Sequence, residues 1–135
     1  MTRKDKELLL KDLCSRLPYG VKIQVYYEEI SGSGYFDETV WVVDNDEPFH
    51  VNDKCIENIK PYLFPLSSIT EEQEKELSKL GVSYGEYALH DDIRGLGIMV
   101  DEAYIFFEFC YKNHIDFLGL IEIGLANDAT GKGIY

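Results

Sequence analysis

Between Leu8 and Val25, in LLLKDLCSRLPYGVKIQV, the spacing of apolar residues changes from helical to extended across a Pro-Tyr-Gly hinge. Leu9, Leu10, Leu13, Cys14 and Leu17 recur three and four apart, which predicts one apolar stripe on a helix from about Arg3 to Arg16. From Val21 the pattern alternates, with Val21, Ile23 and Val25 on one side and Lys22, Gln24 and Tyr26 on the other, predicting a strand to about Glu28. Pro18 cannot sit inside the helix, and Gly20 can adopt the backbone angles that turn the chain. Ser31-Gly32-Ser33-Gly34 reads as a hairpin turn, because glycine supplies the positive φ that tight reversals need. A second strand, Phe36 to Asp44, follows, carrying the strand formers Thr39, Val40, Trp41, Val42 and Val43. After the turn Asn45-Asp46-Glu47-Pro48 comes a short third strand, Phe49 to Asn52. Three successive strands with short connections predict an antiparallel meander.

Beyond the meander, Ile56 to Pro65 is apolar but broken by Pro61 and Pro65, which argues against a central strand or long helix and for a short extended or single-turn segment that lays Ile59, Tyr62, Leu63 and Phe64 on the core. Thr70-Glu71-Glu72-Gln73 fits a capping box that opens a second helix. Glu71, Glu72 and Glu74 favour the positive end of its dipole, Lys79 the negative end, and Gly81 stops it. Only Leu77 and Leu80, with Ile69 just before, are core-type, so this helix is expected at the surface. Residues 82–99, with Gly85, Gly95 and Gly97, give no clear period. Asp101 can cap a third, aromatic-rich helix over 102–113 that is apolar nearly all round, so it is either central or meets a second partner. Phe106, Phe107, Cys110 and Tyr111 share one face of it, and the stretch from Phe117 to Ala126 is expected to form a short strand or turn before a frayed end. The expected fold is a single α+β domain over residues 1–135. In it a small antiparallel three-stranded meander packs against the N-terminal helix and the C-terminal aromatic-rich helix.

Composition narrows the classes. The chain is 45% hydrophobic and carries 10 Tyr, 7 Phe and one Trp, which supports a packed core despite a net charge of −12. That charge is uneven. Residues 28–59 hold nine acids (Glu28, Glu29, Asp37, Glu38, Asp44, Asp46, Glu47, Asp53, Glu57) against Lys54 alone, whereas residues 1–27 are net basic. Such a field repels phosphate backbones, which disfavours direct nucleic-acid binding, and attracts a basic protein. Cys14, Cys55 and Cys110 are an odd number without C-x-x-C spacing. Cys14 and Cys110 lie on apolar helix faces, which suggests buried, reduced thiols and a cytoplasmic setting. No apolar run reaches the roughly 18 residues of a membrane span, and the charged N-terminus does not read as a signal peptide.

Candidate chemistry is sparse. His90-Asp91-Asp92 is the one adjacent histidine and carboxylate group, and it could bind a divalent metal or organise a general base. No second cluster of matching spacing completes it; His50-x-x-Asp53-x-Cys55 and His114-x-Asp116 have structural explanations. Ser67-Ser68 reads as a helix cap, and neither Gly95-Leu96-Gly97 nor Gly131-Lys132-Gly133 has the context of a nucleotide-binding loop. No catalytic residue, metal ligand or cofactor is assigned. Trp41, on a strand with acidic neighbours, fits either cross-strand packing or a partner hot spot.

At LLLKDLCSRLPYGVKIQV, at IENIKPYLFPLSSITEEQ and more loosely at NHIDFLGLIEIGLA, the chain resembles a group of small proteins from gut anaerobic bacteria and their prophages that has no assigned activity. The resemblance implies an accessory, mobile-element role and transfers no functional residue. The resulting expectation is a non-enzymatic acidic domain that engages a basic protein through Asp37, Glu38, Trp41, Asp44, Asp46 and Glu47. Two alternatives are a small metal-dependent enzyme centred on His90, Asp91 and Asp92, and a homodimeric scaffold joined through the helix 102–113.

Overall fold

The computed structural model describes residues 1–39, 56–82 and 100–135. Helix α1 spans Arg3–Arg16, as the period predicts, and a capping box starts it: Thr2 Oγ accepts from Asp5 N–H, while Asp5 Oδ2 accepts from Thr2 N–H. Pro18 sits in a single 3-10 turn, Leu17–Tyr19, and Gly20 at φ +65° closes it, so the hinge forms where proline and glycine place it. Strand β1, Lys22–Glu29, pairs antiparallel with β2, Gly32–Thr39. The reversal lies earlier than Ser31–Gly34: Glu29 opposes Gly32, leaving Ile30 and Ser31 as the turn, while Ser33 and Gly34 are already paired with Glu28 and Tyr27. Gly32, at φ +143°, is the glycine whose backbone freedom the turn uses.

The fold is α+β, but its sheet is mixed and its third strand is not the one expected. Phe49 to Asn52 lies outside the described residues. The strand beside β1 is β3, Ile59–Pro65, antiparallel to it on the edge away from β2. Two short strands, β4 (Ile115–Asp116) and β5 (Asn127–Asp128), pair parallel with β3. Two prolines therefore sit in a strand flanked by β1, β4 and β5, and register explains the first. Ile23 opposes Pro61 and Gln24 opposes Lys60, so the next pair would be Lys22 and Tyr62. There the Tyr135 hydroxyl stands between the strands, accepting from Lys22 N–H at 3.0 Å and donating to Tyr62 C=O at 2.7 Å. Lys22 and Tyr62 thus turn their polar groups toward each other, and alternation turns those of Pro61 away from β1. Pairing with β5 begins only at Tyr62, so the missing Pro61 N–H breaks no ladder bond. Pro65 lies at the strand's end, opposite Asp116.

Helix α2, Glu71–Lys79, has the predicted capping box, with Thr70 Oγ accepting from Gln73 N–H and Gln73 Oε1 accepting from Thr70 N–H. Gly81, at φ +87°, ends it in a Schellman arrangement: Val82 N–H reaches Leu77 C=O and Gly81 N–H reaches Ser78 C=O. Leu77 is buried and Leu80 exposed. Helix α3, Val100–Lys112, already includes Asp101, which is therefore inside the helix rather than its cap.

Two apolar clusters stabilise this arrangement. One joins Leu9 and Leu13 of α1 to Val21, Ile23, Ile59, Leu63 and Leu120; the other joins Phe106, Phe109 and Cys110 of α3 to Leu77, Val82, Ile115 and Phe117. The aromatic helix, expected either to be central or to meet a second partner, packs against Phe117, which stacks on Phe107 at 4.6 Å and lies edge-on to Phe106 and Tyr111. Cys110 is buried as expected, with its thiol pushed up to about 12 by burial, but Cys14 is exposed. The buried stripe of α1 is Leu9, Asp12, Leu13 and Arg16, so the helix is rotated from the reading that put Cys14 inside. The rotation buries an ion pair instead: Arg16 Nε and a terminal nitrogen bind the two Asp12 oxygens at 2.7 and 3.0 Å. Arg16 also donates to Cys110 C=O at 3.2 Å and Ile115 C=O at 2.8 Å, so one guanidinium ties α1 to the end of α3 and to β4. Nor does the end of the chain fray: Ala129 N–H donates to Leu63 C=O at 2.8 Å, and Lys22 Nζ to Ile134 C=O at 2.6 Å. No helix among the described residues is long and apolar enough to cross a membrane.

Candidate functional site

Strand alternation divides the sheet into two faces. Ile23, Ile59 and Leu63 turn into the core, so Lys22, Gln24, Tyr26, Tyr35, Asp37, Tyr62 and Phe64 belong to the outer face. On that face the predicted Asp37 is not an isolated surface acid. The Tyr62 hydroxyl donates to Asp37 Oδ1 at 2.7 Å and accepts from Gln24 Nε2 at 3.1 Å, and Asn127 Nδ2 donates to Gln24 Oε1 at 3.2 Å. Four residues from β1, β2, β3 and β5 thus form one chain of hydrogen bonds. Burial and the adjacent Asp37 carboxylate push the Tyr62 hydroxyl up to about 12, so it remains a protonated donor. Lys132 Nζ covers the Tyr62 ring at 5.7 Å from its centre.

Beside this chain stands a cross-strand pair, Tyr26 and Tyr35, with ring centres 5.1 Å apart at 55°. Tyr35 is 67% exposed. The two rings, with Gln24, Glu57, Asn58 and Lys60, line a shallow hollow of about 250 Å³. Glu57 is held from the other side by Lys6. The hollow offers the Glu57 carboxylate, two ring faces and two amide groups beside the Lys60 ammonium, with Asp37 on the same face of the sheet, so it has groups for polar and ring contacts and no nucleophile or metal cluster among the described residues.

No protein-family model, no curated protein and no solved structure matches this chain.

The remaining sequence candidates divide as follows. Glu38 is in β2 opposite Ile23. Trp41, Asp44, Asp46 and Glu47, together with His90, Asp91 and Asp92, lie outside the described residues, as do His50, Asp53, Cys55 and the Gly95–Gly97 segment. Among the described residues no group of three or more His, Cys, Asp or Glu side chains could hold a metal ion. His114 and Asp116 do not act together: both Asp116 oxygens accept backbone N–H groups, from Leu120 at 2.9 Å and Ile121 at 2.8 Å, and so shape the following turn. Ser68 Oγ donates to Pro65 C=O at 2.6 Å, a local turn contact. Gln24, Tyr26 and Tyr35 are not site candidates in the sequence, and Tyr62 and Phe64, expected on the core with Ile59 and Leu63, instead alternate onto the outer face. The available signal was their place at the outward positions of alternating strands, but the register that brings Tyr62 to Asp37 is tertiary.

Proposed function

We propose that this protein is a non-enzymatic, acidic protein-binding domain whose hairpin takes a basic partner. The observation that carries this reading is Asp37, held by the Tyr62 hydroxyl at 2.7 Å on the face that carries the Tyr26–Tyr35 pair, of which Tyr35 is exposed. A carboxylate fixed next to two aromatic rings receives Lys or Arg at little ordering cost, since its own geometry is already set. The acid-rich stretch 28–59 supplies the field that draws such a partner in, and in the sequence it also carries Trp41, Asp44, Asp46 and Glu47. The free thiols of Cys14 and Cys110 go with a reducing, cytoplasmic setting. The resemblance to small proteins of gut anaerobes and their prophages suggests an accessory role for the contact.

The test is affinity capture from a lysate of the source organism at low and at high salt, with wild type, Tyr35→Ala and a charge reversal of Asp37, Asp44, Asp46 and Glu47. A basic protein retained by wild type at low salt, and lost with salt, with the reversal and with Tyr35→Ala, is the expected result. A retained set indifferent to both charge and Tyr35 overturns the proposal.

A further inference from the structure

The outer face carries a second hollow, at the other end of β3. A cavity of about 470 Å³ opens between the first turn of α2, the end of α3 and the segment 130–135. It shares no lining residue with the tyrosine hollow, and its chemistry differs. Phe64 and Tyr135, their ring centres 5.8 Å apart, form an apolar wall, and the His114 imidazole stacks on Tyr135 at 3.8 Å and 12°. The same lining carries hydrogen-bond donors. Gln73 commits its Oε1 to Thr70 N–H, which leaves its amide N–H groups unclaimed among the described residues. Thr70 Oγ accepts from Gln73 N–H and so has its own proton to donate. Thr130 adds a second hydroxyl, and Lys112 is the one charged side chain in the lining among the described residues.

His114 marks the place as unusual. It is the one non-glycine with positive φ among the described residues, at +58°, and its buried Nδ1 has no hydrogen-bond partner there. Backbone strain and an unpaired buried nitrogen both cost stability, and such irregularities concentrate at binding sites. Burial, with the nearby charges of Arg16 and Lys22, pushes the imidazole down to about 4, so the wall is uncharged at neutral pH.

We infer that this cavity binds a small amphipathic monocarboxylate, with the carboxylate received by Lys112, Gln73 and the two threonine hydroxyls and the apolar body lying against Phe64 and Tyr135. One cation matches one negative charge. A phosphate dianion would meet the field of Glu71, Glu72 and Glu74 in the first turn of α2 with only Lys112 to compensate. The cavity's size is that of small-molecule sites, and its mix of a ring wall and a few polar groups is theirs as well.

The experiment is an amide NMR titration of the full-length, isotope-labelled protein with benzoate, with neutral benzamide and with inorganic phosphate. Benzoate should shift the signals of Gln73, Lys112, Asn113 and Thr130 saturably. Lys112→Met keeps the apolar stem and lies on an exposed helix end, so it should fold normally and bind benzoate about tenfold more weakly. Lys79→Met, an exposed lysine outside the cavity, should bind as wild type. The inference is overturned if benzoate gives no saturable shifts at these residues, if benzamide binds as tightly as benzoate, if phosphate displaces benzoate on equal terms, or if Lys112→Met is without effect. The salt-dependent capture of a basic protein uses none of these residues, so either result can fail while the other stands.

Discussion

His114 shows how much one residue's surroundings alter its behaviour. Its ring lies flat on Tyr135, its backbone is left-handed, and it holds its imidazole neutral down to about pH 4, against 6.5 for a free histidine. Between those values the unfolded chain binds the proton and the folded chain does not. Stability is therefore complete above the unfolded value and is lost as pH falls through the window toward the folded one. In urea titrations repeated from neutral pH down to about 4, wild type should lose stability across this range. His114→Asn, which tolerates positive φ, should lose less. Parallel pH slopes for the two proteins would remove His114 from the account. Tyr135 is altered in the opposite direction: burial pushes its hydroxyl up to about 12, which keeps it the donor to Tyr62 C=O that seals the gap between β1 and β3.

Among the elements, α2 is the one whose ends are set by local chemistry. Nine residues with Leu77 as the single buried side chain form a short, weakly anchored helix, so its caps weigh heavily. Thr70→Ala should cost about 1 kcal/mol by removing the acceptor for Gln73 N–H. Gly81→Ala should cost roughly 1–2 kcal/mol from backbone strain alone, because an added Cβ there meets nothing within 4 Å. Chemical denaturation measures both, and Gly81→Asn should recover part of the loss. Strand β3 makes the contrasting case. Its existence depends on β1, β4 and β5 arriving at positions where Pro61 needs no N–H, and none of those arrivals is a property of IENIKPYLFP.

For the whole molecule, the decisive contact is the buried Asp12–Arg16 pair between the two apolar clusters. Burial pushes the Asp12 carboxyl upward against the pull of Arg16, and the guanidinium sits 5.2 Å from the centre of the Tyr111 ring. Two desolvated charges add little net stability by themselves, but removing one leaves the other uncompensated. Arg16→Met should therefore cost about 3–5 kcal/mol, since it strands the Asp12 carboxylate and two carbonyls. The double change Asp12→Leu with Arg16→Met should restore much of that loss. A double-mutant cycle by urea denaturation reads the coupling directly, and additive losses would show that Asp12 and Arg16 do not stabilise one another.

Local chemistry determined the pieces. The period change at Pro18–Gly20, the helix from Arg3 to Arg16, the alternation after Val21 and the box at Thr70–Gln73 each involve residues within a few positions of one another, and all are legible in the sequence. Asp37 was legible as an acid on a strand, and Cys110 as a buried thiol. What only the tertiary structure decided was the meaning of polar and proline residues. Arg16 and Asp12 look solvent-facing until the carbonyls of Cys110 and Ile115 arrive to be capped. Pro61 looks like a strand breaker until its register with Ile23 is known. Tyr62, Tyr135 and His114 acquire their roles from partners 25, 73 and 21 positions away. A hydrophobic period is a local quantity and survives in one dimension; the partner of a buried polar group is a long-range contact, and no spacing rule encodes it.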